Sequence, residues 1–542
     1  MRSRQGVLFA MLWFAAGGLA PAVAGDVPPV LQCQNDRLNA PLGADEEIAG
    51  FQVALDGTKR VVFLADVVLD GEFDALTVPQ DGSAPPTLFD IDRIPGRFLN
   101  GLPQIAPATE RAVIVGDFET LDVDELFSVT TATGGGPLTK LNAQLVDSGD
   151  VRSFAISADG ETVVYLADQE ANGREELYRV SVNGGEVTKL NAPLEFERDV
   201  DRDFVISSDD RYVVFQADKG VFERDLFSAE LATGTLAQLN TNPDNRGDAF
   251  RFQVSADSTT VVYQANQENN SIFELFQVPV SGGTPRKLNG PEVEQDVREF
   301  MISPDSSTVV YLVSRASGNT FVPQLYSVPL SGGAPVHLTA AASIDTVDSF
   351  ELTPDGAWVL IEAQIGSGRE ILSVPIAGGS VERVSGDPAQ IGITNGFVVS
   401  PDGQSIVYRA RRSGVPTLRI ASLQGSVDRA LTGPSVANGN FEQLEITLDN
   451  EQLLFTADYL IAGQQELFAV ALGTPGPVRR INKPLPVGAA VRSSVGDDFQ
   501  QTLDGQRVVY LADENTVGIK ELFSTDIRCD DVFADGFEAD SR

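Results

Sequence analysis

A unit of ~50 residues recurs along this chain, and one clear copy occupies residues 153–194. Each copy contains an apolar strand that ends in Ser or Thr, an Asp-Gly type of turn, and an alternating strand such as Val163–Ala167. A third strand follows and begins like Glu176-Leu177-Tyr178, and after a Gly-Gly turn a fourth strand ends in Leu-Asn. Four short strands per repeat are typical of β-propeller blades, so the sequence predicts an all-β fold.

The turn between the first two strands of each copy occurs ten times. Asp hydrogen-bonds its own turn, and Gly, Asn or Asp tolerates positive φ, so a tight hairpin is favoured. The turns lie at Asp56-Gly57, Ala108-Thr109, Asp159-Gly160, Asp209-Asp210, Asp257-Ser258, Asp305-Ser306, Asp355-Gly356, Asp402-Gly403, Asp449-Asn450 and Asp504-Gly505.

The fourth strands indicate how the ring closes. The first copy has its Leu-Asn end at Leu99-Asn100, whereas the last copy stops after its third strand, at residues 524–527. The missing pattern appears near the N-terminus as Arg37-Leu38-Asn39, so we expect this segment to complete the last blade. A single ring of ten blades is the simplest arrangement, and two smaller propellers are the alternative.

The two cysteines, Cys33 and Cys529, support the same closure. Aligned with the third copy, Cys529 occupies the position of Gly184 and Cys33 that of Gly185, where other blades turn from the third strand to the fourth. The sequence therefore predicts a Cys33–Cys529 disulfide, which an oxidising compartment permits. Two free or intermolecular thiols are the alternative.

The N-terminus is typical of a secretory signal peptide: Arg2 and Arg4 precede an apolar stretch, and Ala22-Val23-Ala24 forms a small-x-small cleavage site. We therefore divide the chain into a signal peptide (1–24), a propeller (25–529) and an acidic C-terminal tail (530–542), and we expect a periplasmic or extracellular protein. A retained membrane anchor is the alternative, although the apolar run is shorter than the ~20 residues that span a bilayer.

The formal net charge is −38, and removal of residues 1–24 takes away two arginines and no acid, which gives −40. Such a surface repels phosphate backbones, so nucleic acid is excluded as a partner. It favours solubility, cations and basic partners. The sequence gives no reason to expect an oligomer, and the expected state is a monomer.

Three turn sequences, Thr353–Gly356, Ser400–Gly403 and Ser303-Pro304-Asp305, resemble WD40-like (PD40) propeller repeats of the TolB type. The resemblance covers residues 33–529 and implies a propeller that binds protein partners. The N-terminal α/β domain of that family is expected to be absent. Prolyl-oligopeptidase-like enzymes carry similar propellers fused to a hydrolase domain, but this chain has no G-x-S-x-G elbow.

The chain has one histidine, His337, within a fourth-strand sequence, and we interpret it as structural. Because the two cysteines are assigned to a disulfide, a His/Cys zinc site is excluded as well. We therefore assign no catalytic residue and no cofactor-binding residue.

Acidic residues before the first strands of several blades form the candidate binding surface. In a propeller the first strand lines the channel, so these carboxylates are expected around one mouth. Oxygen ligands suit Ca²⁺, for which Asp199, Asp201 and Asp203 are the weak candidates; no other cofactor is expected. The remaining rim residues are Asp150, Asp248, Asp296, Asp345, Asp348, Asp497 and Asp498.

These observations favour an exported, non-enzymatic binding scaffold for a protein, a peptide or a cell-envelope component, preferably a basic one. The alternative is a hydrolase or lyase that uses carboxylates at the channel mouth as acid and base. A purely structural secreted protein is a third interpretation.

Overall fold

The computed structural model describes most of the chain between residues 35 and 528, and within these residues it contains no helix. The described ranges are 35–43, 46–54, 57–69, 72–89, 99–131, 136–192, 198–220, 223–241, 248–268, 271–290, 296–317, 320–340, 342–387, 391–433, 435–436, 439–473, 476–492 and 497–528.

Forty strands in the described ranges form ten four-stranded antiparallel sheets, one per blade. After β1 (Asn35–Arg37), blades 1 to 5 consist of β2 (Ile48–Val53), β3 (Arg60–Leu69), β4 (Glu72–Pro79), β5 (Thr87–Leu88); β6 (Gln104–Ala106), β7 (Arg111–Gly116), β8 (Glu125–Thr130), β9 (Thr139–Lys140); β10 (Val151–Ile156), β11 (Thr162–Ala167), β12 (Glu176–Ser181), β13 (Thr188–Lys189); β14 (Val200–Ile206), β15 (Tyr212–Gly220), β16 (Glu223–Glu230), β17 (Leu236–Gln238); and β18 (Ala249–Val254), β19 (Thr260–Ala265), β20 (Glu274–Pro279), β21 (Arg286–Lys287).

Blades 6 to 10 repeat this order, except that the last blade takes its fourth strand from the N-terminus. They consist of β22 (Val297–Ile302), β23 (Thr308–Ser317), β24 (Thr320–Pro329), β25 (Val336–His337); β26 (Thr346–Leu352), β27 (Trp358–Ile365), β28 (Gly368–Pro375), β29 (Glu382–Arg383); β30 (Ile391–Val399), β31 (Ser405–Arg412), β32 (Val415–Ser422), β33 (Asp428–Ala430); β34 (Phe441–Ile446), β35 (Gln452–Ile461), β36 (Gln464–Ala471), β37 (Arg479–Arg480); and β38 (Phe499–Gln501), β39 (Arg507–Ala512), β40 (Glu521–Asp526) with β1.

The core consists of apolar clusters between neighbouring blades. Ten such clusters occur, one between each pair of adjacent blades. The cluster between the last and first blades packs Leu511 and Leu522 of blade 10 against Ile48 and Phe63 of blade 1. The second strand of each blade packs on both faces, which is why β-branched and aromatic residues dominate these strands. The structure is therefore one ring of ten blades, as predicted, and two smaller propellers are excluded.

The N-terminal strand closes the ring in the predicted register. β1 pairs with β40 so that Arg37 lies opposite Phe523, and this pairing matches Lys189 opposite Tyr178 in blade 3. Asn39 also repeats a contact found in other blades, because its Oδ1 accepts a hydrogen bond from the backbone N–H of Leu522 at 2.8 Å. The Asn of the Leu-Asn ending therefore links the fourth strand to the third strand of the same blade by a hydrogen bond.

Cys33 and Cys529 lie outside the described residues, so the disulfide stays a prediction. The β1–β40 ladder ends at Asn35 opposite Thr525, which leaves each cysteine only a few residues beyond the last pair. We expect a non-reducing peptide map of the mature protein to contain a Cys33–Cys529 cross-linked peptide that disappears on reduction. Recovery of both cysteines as free thiols after denaturation and alkylation would contradict the bridge.

The hairpin turns behave as their residue types predict. In blade 3, Ser157 Oγ donates to Asp159 Oδ1 at 2.6 Å, and Gly160 takes φ 74°. The turns also contact each other across blades: Asp210 Oδ1 accepts from the backbone N–H of Ala158 at 2.7 Å. Between the last and first blades, Lys59 pairs with Asp504 at 2.9 Å.

One strand prediction is wrong. Leu99-Asn100 does not end the fourth strand of blade 1; Leu99 instead bridges to Gly116 at the start of blade 2. The fourth strand is β5, and Phe89 occupies the position of the usual Leu, with its N–H bonded to the carbonyl of Ala75 at 3.0 Å. The Phe89 side chain fills the apolar space that Leu fills in other blades. The Leu-Asn sequence at residues 99–100 resembles a fourth-strand ending but lies outside that strand.

Candidate functional site

Four of the predicted rim acids are structural contacts between blades. Each lies just before the first strand of its blade and accepts a hydrogen bond from a backbone N–H at or next to the start of the third strand of the preceding blade. Each of these carboxylates therefore uses one of its two oxygens for a contact within the ring. The pairs are Asp150 with Asp124 at 2.9 Å, Asp199 with Glu175 at 2.8 Å, Asp248 with Arg224 at 3.0 Å, and Asp296 with Phe273 at 2.9 Å.

The other rim acids lie on blades 7 and 10. Asp345 accepts from the N–H of Gly366 at 2.7 Å, and Asp348 pairs with Arg369 at 3.0 Å. Asp498 accepts hydrogen bonds from side chains of blade 9, whereas Asp497 is exposed. The structure therefore distributes the predicted acids over blades 3 to 7 and blade 10.

The three calcium candidates all belong to blade 4 but have different surroundings. Asp199 bonds to blade 3, Asp201 pairs with Arg224 at 3.0 Å, and Asp203 is exposed. Burial raises the pKa of Asp201, and Arg224 opposes that rise. In the described ranges no group of three or more His, Cys, Asp or Glu side chains is arranged to hold a metal ion.

A concave pocket of about 490 Å³ lies on the channel wall, where the first strands of blades 4, 5 and 6 are side by side. Small-molecule and peptide sites commonly have volumes of roughly 300 to 1,000 Å³. Hydrogen bonds between the blades hold the wall in place: Gln216 Nε2 donates to the carbonyl of Ala249 at 2.6 Å, and Gln253 Nε2 donates to that of Phe300 at 3.1 Å. This pocket is the candidate binding site.

Bulges, which also occur in the first strands of most other blades, shape the side-chain pattern of the pocket in all three strands. The register of β18 shifts between Ala249 and Arg251, which leaves Phe250 as the extra residue, and β14 and β22 shift at the corresponding place. A bulge redirects side chains that strict alternation would bury. Phe250 is consequently 49% exposed, and Val205 nearby is 42% exposed.

Two rows of side chains cross the pocket. The charged row is Asp203, Arg251 and Glu299, each directly before the Phe that pairs with the second strand of its blade. The apolar row is Val205 and Met301, with the amide side chain of Gln253 between them, two positions further along the same strands. In a strand, residues two apart point to the same side, so the rows run parallel across the three blades.

The three charges of the charged row are not neutralised by one another. Among the residues that the structure describes, Asp203, Arg251 and Glu299 form no salt bridge. Arg251 instead lies 5.8 Å from the ring centre of Phe250 and donates weakly to the carbonyl of Arg298 at 3.4 Å. By contrast, Arg202 at the edge of the pocket is paired with Glu175 at 2.8 Å.

Two further carboxylates lie on the first strands of blades 7 and 9. Partial desolvation raises the pKa of Glu445 and also that of Glu351, although the Glu351 side chain is exposed. Glu445 accepts a hydrogen bond from Gln501, and the nearby charge of Asp497 adds to the rise in its pKa. Neither Glu351 nor Glu445 lines the pocket of blades 4 to 6.

His337 occupies the outermost strand of blade 6, away from the pocket. Its ring stacks on Tyr326 at 4.6 Å, and its Nε2 lies 3.2 Å from Thr339 Oγ1.

A helix that is long and apolar enough for a bilayer does not occur in the described ranges.

The pocket was not predicted from the sequence, although a recurring sequence pattern marks the strands that form it. Three consecutive first strands contain a charged residue before Phe, in the sequences of residues 203–207, 251–255 and 299–303. These charged side chains lie on strands that face the channel, and they line the pocket. The exposure of Phe250, however, depends on the bulge and leaves no mark in the hydrophobic pattern.

Comparisons with known proteins identify no family for this chain. No family model matches the chain, and no curated protein matches it. Solved structures that resemble it are β-propeller proteins. None of the comparisons shows a relationship to the TolB type, which stays a hypothesis.

Three of these structures indicate the extent of the likeness. An oligogalacturonate lyase from Vibrio parahaemolyticus is 13% identical with a TM-score of 0.35, over 71% of this chain and 99% of the lyase. The tricorn protease is 13% identical with a TM-score of 0.35, over 81% of this chain and 43% of the protease. Dipeptidyl peptidase 4 from Porphyromonas gingivalis is 11% identical with a TM-score of 0.46, over 76% of this chain and 64% of the peptidase.

Proposed function

We propose that this protein is an exported, non-enzymatic binding scaffold that holds a peptide, or an extended segment of a protein or envelope component, against the channel wall of blades 4 to 6. The observation that carries the proposal is the half-exposed ring of Phe250 inside a concave, hydrogen-bonded wall. Aromatic side chains in such pockets are frequent anchors of binding energy. Export, to the periplasm or beyond the cell, rests on the signal-peptide sequence.

The net charge of −38 supports a partner that is basic or at least not strongly acidic. Long-range attraction would bring such a partner to the ring, and the pocket would then select among the candidates by contact. Because four rim aspartates are committed to contacts between blades, specificity is assigned to the pocket rather than to the whole mouth.

The alternative, a hydrolase or lyase, would use Glu445 and Asp497 as acid and base. Their electrostatic coupling and the raised pKa of Glu445 fit that chemistry. Glu445 is, however, hydrogen-bonded to Gln501, and the pocket lies on other blades. The geometry therefore favours binding over catalysis.

Selection from a random peptide library on the immobilised mature protein tests the proposal. We expect a related set of peptides to emerge and to bind Phe250→Ser about tenfold more weakly, because the aromatic anchor is lost. Val427→Ser is the matched control, since Val427 is 45% exposed and does not line the pocket. Failure to select any related set, or equal binding to both variants, would contradict the proposal.

A further inference from the structure

The charged row of the pocket alternates in sign across three blades: Asp203 on blade 4, Arg251 on blade 5 and Glu299 on blade 6. Opposite charges that are side by side on a protein surface commonly pair. Here the described residues leave all three without a salt bridge, although Arg152 on the first strand of blade 3 and Arg202, next to Asp203 on that of blade 4, are both paired. The row is therefore available to a ligand.

The apolar row completes the pattern. Val205 and Met301 lie on the same strands as Asp203 and Glu299, two residues further along, with Gln253 between them. A peptide that lies across the three strands, between the rows, presents successive side chains to opposite sides because it is extended. One set of its side chains would face the charged row, and the other set would face the apolar row.

We propose that the pocket recognises an extended peptide segment in which a cationic, an anionic and a second cationic side chain alternate with apolar ones. The anionic group pairs with Arg251, and the cationic groups pair with Asp203 and Glu299. This inference rests on the proposed peptide-binding function and adds the class of sequence bound.

Charge complementarity supports this occupant over a purely acidic or purely basic one. A polyanion would meet two carboxylates in the row and the strongly negative protein around it. A polycation would place one of its charges against Arg251, which costs affinity because like charges are brought together. The alternating segment carries a net positive charge, as the field of the protein favours, and still satisfies Arg251.

A charge-exchange experiment tests the inference on the full mature protein. The probes are two fluorescein-labelled peptides with blocked C-termini, Lys-Leu-Glu-Leu-Lys and Lys-Leu-Lys-Leu-Lys, whose affinities are measured by fluorescence anisotropy at fixed salt. We expect the unchanged protein to prefer the first peptide by about tenfold, and Arg251→Glu to prefer the second by a similar factor. Phe250→Ser should weaken both.

Arg411→Glu is the control for net charge, because Arg411 is exposed on blade 8 and does not line the pocket. It should keep the preference of the unchanged protein. If Arg251→Glu fails to reverse the preference, or if library-selected peptides depend on Phe250 while neither probe binds, the charge-alternating class is wrong and the binding function stands. If no peptide of any sequence binds in the pocket, both proposals fail.

Discussion

Replacing Lys287 with methionine is expected to lower the free energy of unfolding by about 3 kcal/mol, because it leaves a buried carboxylate without a cation. Lys287 ends the short fourth strand of blade 5 and bonds to Glu274 of the third strand, which is 6% exposed. It also contacts Glu268 at 3.2 Å. Among the described residues, no other basic side chain pairs with Glu274.

The double variant Lys287→Met with Glu274→Leu should recover most of the loss, because a buried ion pair is often replaced by apolar groups at little cost. Lys59→Met is the matched control. It breaks an exposed pair with Asp504, in which Lys59 is 70% exposed, so at most ~1 kcal/mol is expected. Thermal and denaturant unfolding of the four proteins gives the comparison, and equal losses for Lys287→Met and Lys59→Met would contradict the argument.

The same buried pair recurs around the ring, which explains why the third strands begin with Glu. Lys140 with Glu125, Lys189 with Glu176, Arg480 with Glu466 and Arg37 with Glu521 occupy equivalent places. The last of these pairs joins the N-terminal strand to blade 10. Closure of the ring therefore reproduces the ionic contact of an internal blade as well as its hydrogen bonds.

The fold was predictable from local patterns because each blade repeats the same few contacts. The turn at Asp159, the Leu-Asn ending at Asn39 and the pairing of Arg37 with Phe523 depend on residues that are close in the sequence or aligned between repeats. Blade 1 departed from the pattern at Phe89, where one apolar residue substitutes for another and no sequence rule distinguishes the two choices.

The candidate site was less predictable because it depends on relations between blades. The sequence placed acids such as Asp150 and Asp296 at the channel mouth, but only the structure shows that they reach a backbone N–H of the preceding blade. Likewise, the sequence suggests that Phe250 belongs to the core, whereas the bulge of β18 exposes its side chain to the channel. Local alternation contains neither piece of information.

Blade 10 also contains a buried acid where other blades have an amide. Gln169 accepts hydrogen bonds from Tyr165 Oη at 2.8 Å and from the N–H of Ala143 at 3.0 Å. In blade 10 the corresponding residue is Glu514, which accepts from Tyr510 Oη at 2.8 Å.

The carboxylate of Glu514 is incompletely satisfied. Its Oε1 also accepts from Asn35 Nδ2 at 3.1 Å and from the N–H of Lys483 at 3.0 Å, whereas its Oε2 is buried without a partner among the described residues. Burial raises the pKa of Glu514 above its ordinary value of 4.5, and these hydrogen bonds oppose the rise.

Glu514→Gln is therefore expected to stabilise the protein by about 2 kcal/mol at neutral pH, because the neutral amide keeps an acceptor oxygen for these hydrogen bonds and removes a charge that burial disfavours. Because the pKa is raised in the folded state, the folded protein binds the proton more tightly than the unfolded chain. The stability of the unchanged protein then falls as pH rises from 4.5 through the folded pKa, and the variant lacks this fall. Its advantage should be small at pH 4 and complete well above the folded pKa.

Thermal unfolding at pH 4 and pH 7 measures this difference, and hydrogen exchange of residues 35–37 and 521–526 reports it at the closing strand itself. Glu382→Gln is the control, since Glu382 is exposed on the outer strand of blade 7 and the change in net charge is identical. An advantage that is the same at both pH values, or is shared by Glu382→Gln, would show that the buried carboxylate is not its source. An advantage confined to Glu514→Gln and to the higher pH would show that an ionised Glu514 weakens the joint between the two ends of the chain.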